Sequence, residues 1–216
     1  MGNLYKDLAS IYEAMYQTFI NYPEEYAFYS NLLKKCGKNE VLEIGSGTGH
    51  LAQYFLDNNF DYLGLDYSEE MIEIAKQKVL NGQFLQGDMR DFTLESHVES
   101  IIITGRTISY LLKNEEVNNT FLAIYKNLKP KGIVCFDFID ANQFIPTIAQ
   151  GKNITHQASF NKKHYFRDSH WSLDLESGLN VKWDSTYYER VGEDKVELGI
   201  DNSTIRTFTI NELEVY

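Results

Sequence analysis

The residues able to do chemistry stand where apolar runs end. Glu43-Ile44-Gly45-Ser46-Gly47-Thr48-Gly49-His50 follows Val41-Leu42 and precedes a helix-like segment, Leu51 to Leu56. Strand, glycine turn, helix is how an open α/β sheet builds a ligand site at its carboxyl edge. Glycines bend sharply and let a ligand approach the backbone, because no Cβ is in the way. A helix N-terminus adds free N–H groups that favour negative charge, such as a carboxylate. Asp61 to Asp66 reads as a second strand ending in an acid. An acid about 20 residues past such a loop suits ribose hydroxyls. Phe84-Leu85-Gln86 reads as a third strand, again ending in Gly87-Asp88. A dinucleotide fingerprint needs Gly or Ala at its sixth position. Counted from Gly45 that position is His50, which argues against a dinucleotide oxidoreductase.

The spacing Glu-x-Gly-x-Gly-x-Gly, followed in order by Asp66, Tyr67-Ser68-Glu69-Glu70-Met71 and Gly87-Asp88-Met89, resembles the class I S-adenosylmethionine-dependent methyltransferases. The resemblance implies S-adenosyl-L-methionine as cofactor, held by Glu43, Gly45, Ser46, Gly47 and Gly49, with its ribose at Asp66. It implies that Tyr67 to Met71 lies over the adenine. Asp88 would meet the adenine amino group and the Met89 N–H a ring nitrogen, and Thr104, ending the fourth strand, completes the set. Tyr5-Lys6-Asp7-Leu8-Ala9-Ser10-Ile11-Tyr12-Glu13 is similar to the opening of small-molecule methyltransferases, with Glu13 where the pattern has Asp. On that likeness Tyr5 or Tyr12 closes over the cofactor; the plainer reading is an amphipathic cap of aromatic residues.

These residues need a sheet to hold them. Residues 4 to 35 read as helical, with Leu8, Tyr12 and Met15 on one face and Pro23 at a helix start behind Asn21 or Tyr22. Residues 40–45, 61–66 and 82–86 read as strands, with helices at about 50–58 and 68–80 and Ser68 as the N-cap of the second. Ser100 to Thr104 is a β-branched fourth strand suited to burial on both faces. Asn114 reads as the cap of a helix reaching about Leu128; Lys129-Pro130-Lys131-Gly132 reads as a turn, and Ile133 to Phe138 as the fifth strand. The fold class is α/β. The resemblance implies a Rossmann-like, mostly parallel sheet of order 3-2-1-4-5 with helices on both faces, which right-handed crossovers make natural.

After Asp140 the pattern changes. A short helix is expected over 141–150, then an antiparallel meander. Trp171, Leu173 and Leu175 share one side, Leu179, Val181 and Trp183 another, with turns at Ser177-Gly178 and Gly192-Glu193. The expected division is 1–140 for helical cap and cofactor core, 141–209 for a β-insertion, and 210–216 for the start of a last helix. The resemblance makes the insertion a substrate lid or a dimer surface, hence a possible homodimer.

The loop after the fourth strand, Gly105-Arg106-Thr107-Ile108-Ser109-Tyr110, is where the family places its acceptor. It lacks the Asp/Asn-Pro-Pro-Tyr/Phe of base-amino methyltransferases and the Pro-Cys of cytosine-C5 enzymes. Arg106, with Tyr110 beside it, would bind a carboxylate or phosphate at two points; the alternative is a surface arginine paired with an acid. No catalytic base is assigned. A net charge of −11 argues against a nucleic-acid substrate. No run approaches membrane-spanning length. The two cysteines, Cys36 and Cys135, have no metal-type spacing, so no metal is expected and the setting reads as cytoplasmic. The expected activity is methyl transfer from S-adenosylmethionine to a small molecule, foremost an amine. A protein or RNA methyltransferase and a non-catalytic cofactor-binding protein are the rivals. Thr209-Ile210-Asn211-Glu212 fits a capping box with about one turn of chain after it. In the family two more strands then follow beside the fifth. The expectation is therefore a chain cut from a longer one, or a fifth strand whose edge something else covers.

Overall fold

The computed structural model describes residues 9–18, 20–174 and 180–216. It divides into two compact units, Asn21–Phe138 with Tyr216, and Met1–Ile20 with Ile139–Val215.

In the first unit α2 (Tyr22–Lys35) precedes β1 (Glu40–Ile44), α3 (His50–Asp57), β2 (Asp61–Asp66), α4 (Glu69–Lys78), β3 (Gln83–Gln86), β4 (Val98–Ile103), α5 (Asn114–Asn127) and β5 (Leu128–Phe136). The strands form one parallel sheet in the order β3-β2-β1-β4-β5. Side chains alternate across each strand, so one run of isoleucines serves both faces. Ile102 joins Val41, Tyr29, Leu33, Phe55 and Ile72 on the side of α2, α3 and α4. Ile101 and Ile103 join Leu42, Ile44, Leu65 and Ile124 on the side of α5. Caps start the helices as the sequence suggests: Asn21 accepts from Glu24 N at 3.4 Å, and Ser68 from Met71 N at 3.2 Å.

Three local readings change. Asn114 is the first helical residue of α5 and not its cap; the N–H at the cap position, Lys113, is held by Glu116 at 3.0 Å. The expected turn at Lys129–Gly132 lies inside β5, where Leu128 pairs with Val98 and Ile133 with Ser100. The residues between form a bulge, with Lys131 at a φ of 64°. β5 then stops at Phe136, two residues short of Phe138. Among the described residues it pairs with β4 only.

The second unit holds α1 (Ala9–Tyr16), α6 (Ala141–Ile148), β6 (Lys152–Phe160), β7 (Lys163–Asp174), β8 (Asn180–Val191), β9 (Asp194–Arg206) and α7 (Ile210–Leu213). Its strands are an antiparallel meander in sequence order. Asn161 and Lys162, at φ of 50° and 63°, make the first turn, the doubly positive geometry that matches strand twist. Gly192 and Glu193 turn between β8 and β9 as expected. Trp171 pairs directly with Trp183 and Leu173 with Val181, so the two apolar sides read separately in sequence are one face. Leu175, Leu179 and Ser177-Gly178 lie outside the described residues. Met15 of α1 packs on Ala158 and Tyr165. The capping box forms as read, with Glu212 N donating to Thr209 Oγ1 at 3.2 Å. Among the described residues no helix is long and apolar enough to cross a membrane.

Candidate functional site

The glycine loop is fixed by its own backbone. Gly45 N and Ser46 N donate to Leu65 O at 2.8 and 3.1 Å, and Gly49 N donates to Ser46 O at 3.0 Å. Gly47 N donates to Asp66 Oδ2 at 2.8 Å, and Ser68 N to Asp66 Oδ1 at 2.9 Å. One carboxylate at the end of β2 therefore ties the loop to the first turn of α4. Burial raises the Asp66 carboxyl above the ordinary carboxylate range, and the N–H groups of Ser68, Gly47 and Tyr67 oppose the rise.

Two glycines are required for different reasons. A Cβ on Gly45 would stand 2.3 Å from Thr107 Oγ1, so only glycine lets the loop after β4 close against it. Gly47 has a φ of 53° and no heavy atom within 4 Å of a Cβ position, so its backbone faces open space. Gly49 caps α3 with no side-chain acceptor, leaving first-turn N–H groups for a ligand. The buried Ser46 hydroxyl also has no partner among the described residues.

Glu43 is bonded within the sheet. It is 2% exposed. Its carboxylate accepts from Tyr62 Oη at 2.5 Å and from Thr104 Oγ1 at 2.7 Å. Burial pushes the carboxyl up to about 7 against these two bonds. Glu43 and Thr104, both expected at the cofactor, are bonded to each other, joining β1, β2 and the end of β4 beneath the loop.

The adenine segment divides. Tyr67 is 49% exposed beside Asp66, while the Met71 side chain is buried and its N–H is taken by the Ser68 cap. Asp88 is clamped by Arg90, with Nε at 2.9 Å and Nη2 at 2.6 Å, and Arg90 also reaches Glu116 at 2.7 Å. That guanidinium holds the Asp88 carboxyl below its ordinary value. The Met89 side chain packs into the core on the α5 side. Tyr5 lies outside the described residues, as does the side chain of Tyr12, whose backbone is in α1.

Arg106 sits in a left-handed turn at a φ of 60°, and its N–H donates to Asp137 at 2.9 and 3.1 Å. It is exposed, and its charge lowers the carboxyls of Glu25 and Asp137 against their burial. Tyr110 ends the single 3₁₀ turn that follows. The sequence reading passed over two acids at this loop. Glu25 of α2 accepts from the Gly105 backbone, and Asp137 follows β5 directly. Burial raises both carboxyls, and the nearby Asp137 raises Glu25 further. Asp137 stands at a strand end, as Asp66 does, but only once β5 is seen to stop at Phe136. Glu25 carried no signal.

A parallel sheet of order 3-2-1-4-5 with a glycine loop after β1 and an acid ending β2 defines the class I methyltransferase fold. The described residues fit S-adenosylmethionine: Gly47 presents open backbone, Asp66 an acceptor, and α3 an uncapped N-terminus. A methyltransferase domain family matches residues 41–132. An uncharacterised methyltransferase of Bacillus thuringiensis (strain Al Hakam) is 30% identical over 149 residues, 66% of this chain and 69% of that one. The chain belongs to the S-adenosylmethionine-dependent methyltransferase family.

The putative methyltransferase YqeM of Bacillus subtilis (strain 168) is 31% identical over 138 residues, 62% of this chain and 55% of that one. A dTDP-3-amino-3,4,6-trideoxy-alpha-D-glucopyranose N,N-dimethyltransferase of Streptomyces venezuelae is 29% identical over 96 residues, 44% of this chain and 40% of that one. The chain spans about half the length of the curated relatives it matches first. Streptomyces venezuelae DesVI shares the fold, with a TM-score of 0.84 at 23% identity over 97% of this chain and 87% of that one.

Proposed function

We propose that the protein transfers the methyl group of S-adenosylmethionine to a nitrogen of a small molecule. The observation that carries the reading is the Asp66 carboxylate bonded to Gly47 N–H at a loop whose outer side is open. The bound cofactor supplies a methyl group on a cationic sulfur, with a neutral thioether as leaving group. The chain's own residues bind and orient. First-turn N–H groups of α3 face the cofactor's carboxylate, Asp66 accepts from the ribose, and the exposed Tyr67 ring flanks the base. The Gly105–Tyr110 loop receives the acceptor, and Arg106 takes an anionic group on it. A neutral amine needs positioning and exclusion of water more than a strong base. The carboxylates of Glu25 and Asp137 at that loop are at hand for the proton an amine releases.

An amine acceptor is supported by the relative whose name is that of an amino-sugar N,N-dimethyltransferase. A small molecule rather than nucleic acid is supported by the net charge of −11. A cytoplasmic location goes with that reading. A homodimer is supported by Val196, Leu198 and Ile200, exposed side by side on the edge strand β9.

The test is a panel of small amines, alcohols and carbon acids, with RNA and protein as further arms, assayed for S-adenosylhomocysteine release. Release with an amine is expected. Release only with a macromolecule reverses the substrate class, and cofactor binding with no release from any arm makes the chain a binding protein.

A further inference from the structure

One end of the meander carries a cavity of about 280 Å³ whose described lining belongs wholly to the second unit. Gln157 and Ser159 of β6, His164 and Phe166 of β7 and Arg190 of β8 line it, with Thr18 beyond the end of α1. Cross-strand register sets the arrangement. Ser159 pairs with His164, Gln157 with Phe166 and Phe166 with Tyr188. These residues therefore share one face with Arg190, two positions beyond Tyr188. Ser159 Oγ and His164 Nδ1 lie 2.9 Å apart. The Arg190 guanidinium lies over the Phe166 ring at 5.0 Å, and Lys195 of β9 lies over the same ring at 4.6 Å. The ring itself is 5% exposed.

Charge narrows what such a cavity would hold. Arg190 and Lys195 are directly opposed across β8 and β9. Like charges so placed are destabilising. Lys195 is answered by Asp168 at 3.1 Å, and Glu189, beside Arg190, by Lys163 at 3.0 Å. Arg190 has no ion pair among the described residues; its one side-chain contact is the Phe166 ring. A phenyl ring answers the charge in part but offers the five N–H donors no oxygen. No carboxylate among the described residues lines the cavity. Glu197, opposite Tyr188, is the acid next in register and lies outside the lining. The second ring nitrogen of His164 has no partner among the described residues. A planar guanidinium fork matches an oxyanion at two points. A cation fits less well, because the only formal charge in the lining is positive. Pockets for drug-sized ligands start near about 300 Å³, so this one suits a small molecule or a single group of one.

We propose that this cavity binds the oxyanion group, phosphate or carboxylate, of a small molecule, with Arg190 as its two-point donor and Ser159 and His164 beside it. An anion there also answers the opposition of Arg190 and Lys195. The site shares no residue with the glycine loop, so the proposal stands apart from the methyl-transfer reading.

Inorganic phosphate and glycerol 3-phosphate form one arm of the test, succinate a second, and sodium chloride at matched ionic strength the control. The ring-proton NMR signal of His164, assigned by its loss in His164→Gln, localises binding at fixed pH, and calorimetry measures affinity. A saturable shift of that signal with the first arm assigns phosphate, and with the second carboxylate. A shift with both assigns the oxyanion chemistry the two share. Arg190→Gln should weaken the responding probe at least about tenfold, the loss of a hydrogen bond to a charged group. Its melting temperature should be unchanged or higher, since the opposed charges are then gone. Arg190→Lys, which keeps the charge and loses the fork, should weaken the probe as well. The proposal is overturned if no probe shifts the His164 signal beyond chloride at roughly 10 mM, well above a millimolar dissociation constant. It is overturned equally if Arg190→Gln binds the probe as the wild type does. If that variant fails to fold, Arg190→Lys carries the same criterion.

Discussion

Replacing Glu43 with glutamine separates a structural carboxyl from a ligand-binding one. In the fold the carboxyl rises from its ordinary 4.5 to about 7, chiefly through burial. A group with a raised folded value binds more protons folded than unfolded between those two pH values. Its anion therefore costs stability above pH 7, and the cost is relieved as pH falls toward 4.5. At about 1.36 kcal/mol per pH unit the full cost is roughly 3 kcal/mol. Glutamine carries no charge at any pH and so lacks this dependence. It also meets two hydroxyl donors, Tyr62 and Thr104, with one carbonyl, which costs about 1–2 kcal/mol at every pH. The sign of the net effect at one pH is thus uninformative, and the change across pH is the readout. Between pH 4.5 and 8 the variant should gain roughly 3 kcal/mol on the wild type, about 6–12 °C in melting temperature for a chain of this size. Parallel thermal melts across that range measure it. Other raised acids, Asp66, Asp137 and Glu25, cancel in the difference. Cofactor affinity should change by less than roughly threefold, below the worth of one hydrogen bond. A stability difference that stays flat with pH would refute the buried-carboxyl reasoning. An affinity loss above about tenfold would put Glu43 at the cofactor after all.

Asp66→Ala removes the acceptor that holds Gly47 N–H and should weaken S-adenosylmethionine by more than about 1.5 kcal/mol in calorimetry; unchanged affinity would end its assignment to the ribose. Gly45→Ala and Gly47→Ala should part company. The first drives a Cβ into Thr107 and should lose more than about 2 kcal/mol in denaturant titration, whereas the second meets open space and should lose about 1–2 kcal/mol from its positive φ alone. Equal losses would contradict the loop geometry. Arg106→Lys should raise KM for an anionic acceptor and leave cofactor affinity unchanged, since lysine cannot make the planar two-point contact; an unaltered KM removes Arg106 from recognition.

What could be read in the sequence was local. The alternation of Ile101, Ile102 and Ile103 between two cores follows from strand geometry and needs no tertiary knowledge. The Ser68 and Thr209 caps bond as their residue types dictate. Asp66 was legible because an acid ending an apolar run is conspicuous. Asp137 carries the same mark and was hidden by register. With the strand read from Ile133 to Phe138, the acid looked internal, but the bulge at Lys129–Gly132 shifts the start back to Leu128 and the end to Phe136. Glu25 was illegible in principle, since its partner Gly105 is far along the chain and on another element. The face shared by β7 and β8 was hidden for a related reason, since cross-strand register alone puts Trp171 on Trp183 and Arg167 on Tyr187.

The glycine loop bears on what the cofactor must do when it arrives. Gly45, Ser46, Gly47 and Gly49 each have their N–H engaged within the protein. The loop therefore already has one shape, and binding need not order it, which spares the entropy a mobile loop would lose. The same bonds limit what the loop's N–H groups can offer, so on the proposed reading Asp66, the open face of Gly47 and the first turn of α3 would meet the ligand. Asp66 can serve both sides. A carboxylate has about four acceptor positions, and here Gly47 and Ser68 N–H take one each with Tyr67 N–H close by. The remaining ones suit a vicinal diol without breaking either bond. Asp88 stands differently, with Arg90 on both oxygens. An adenine amino group reaching it would add to that clamp, so the ion pair positions the acid and Asp66 supplies the free acceptor capacity.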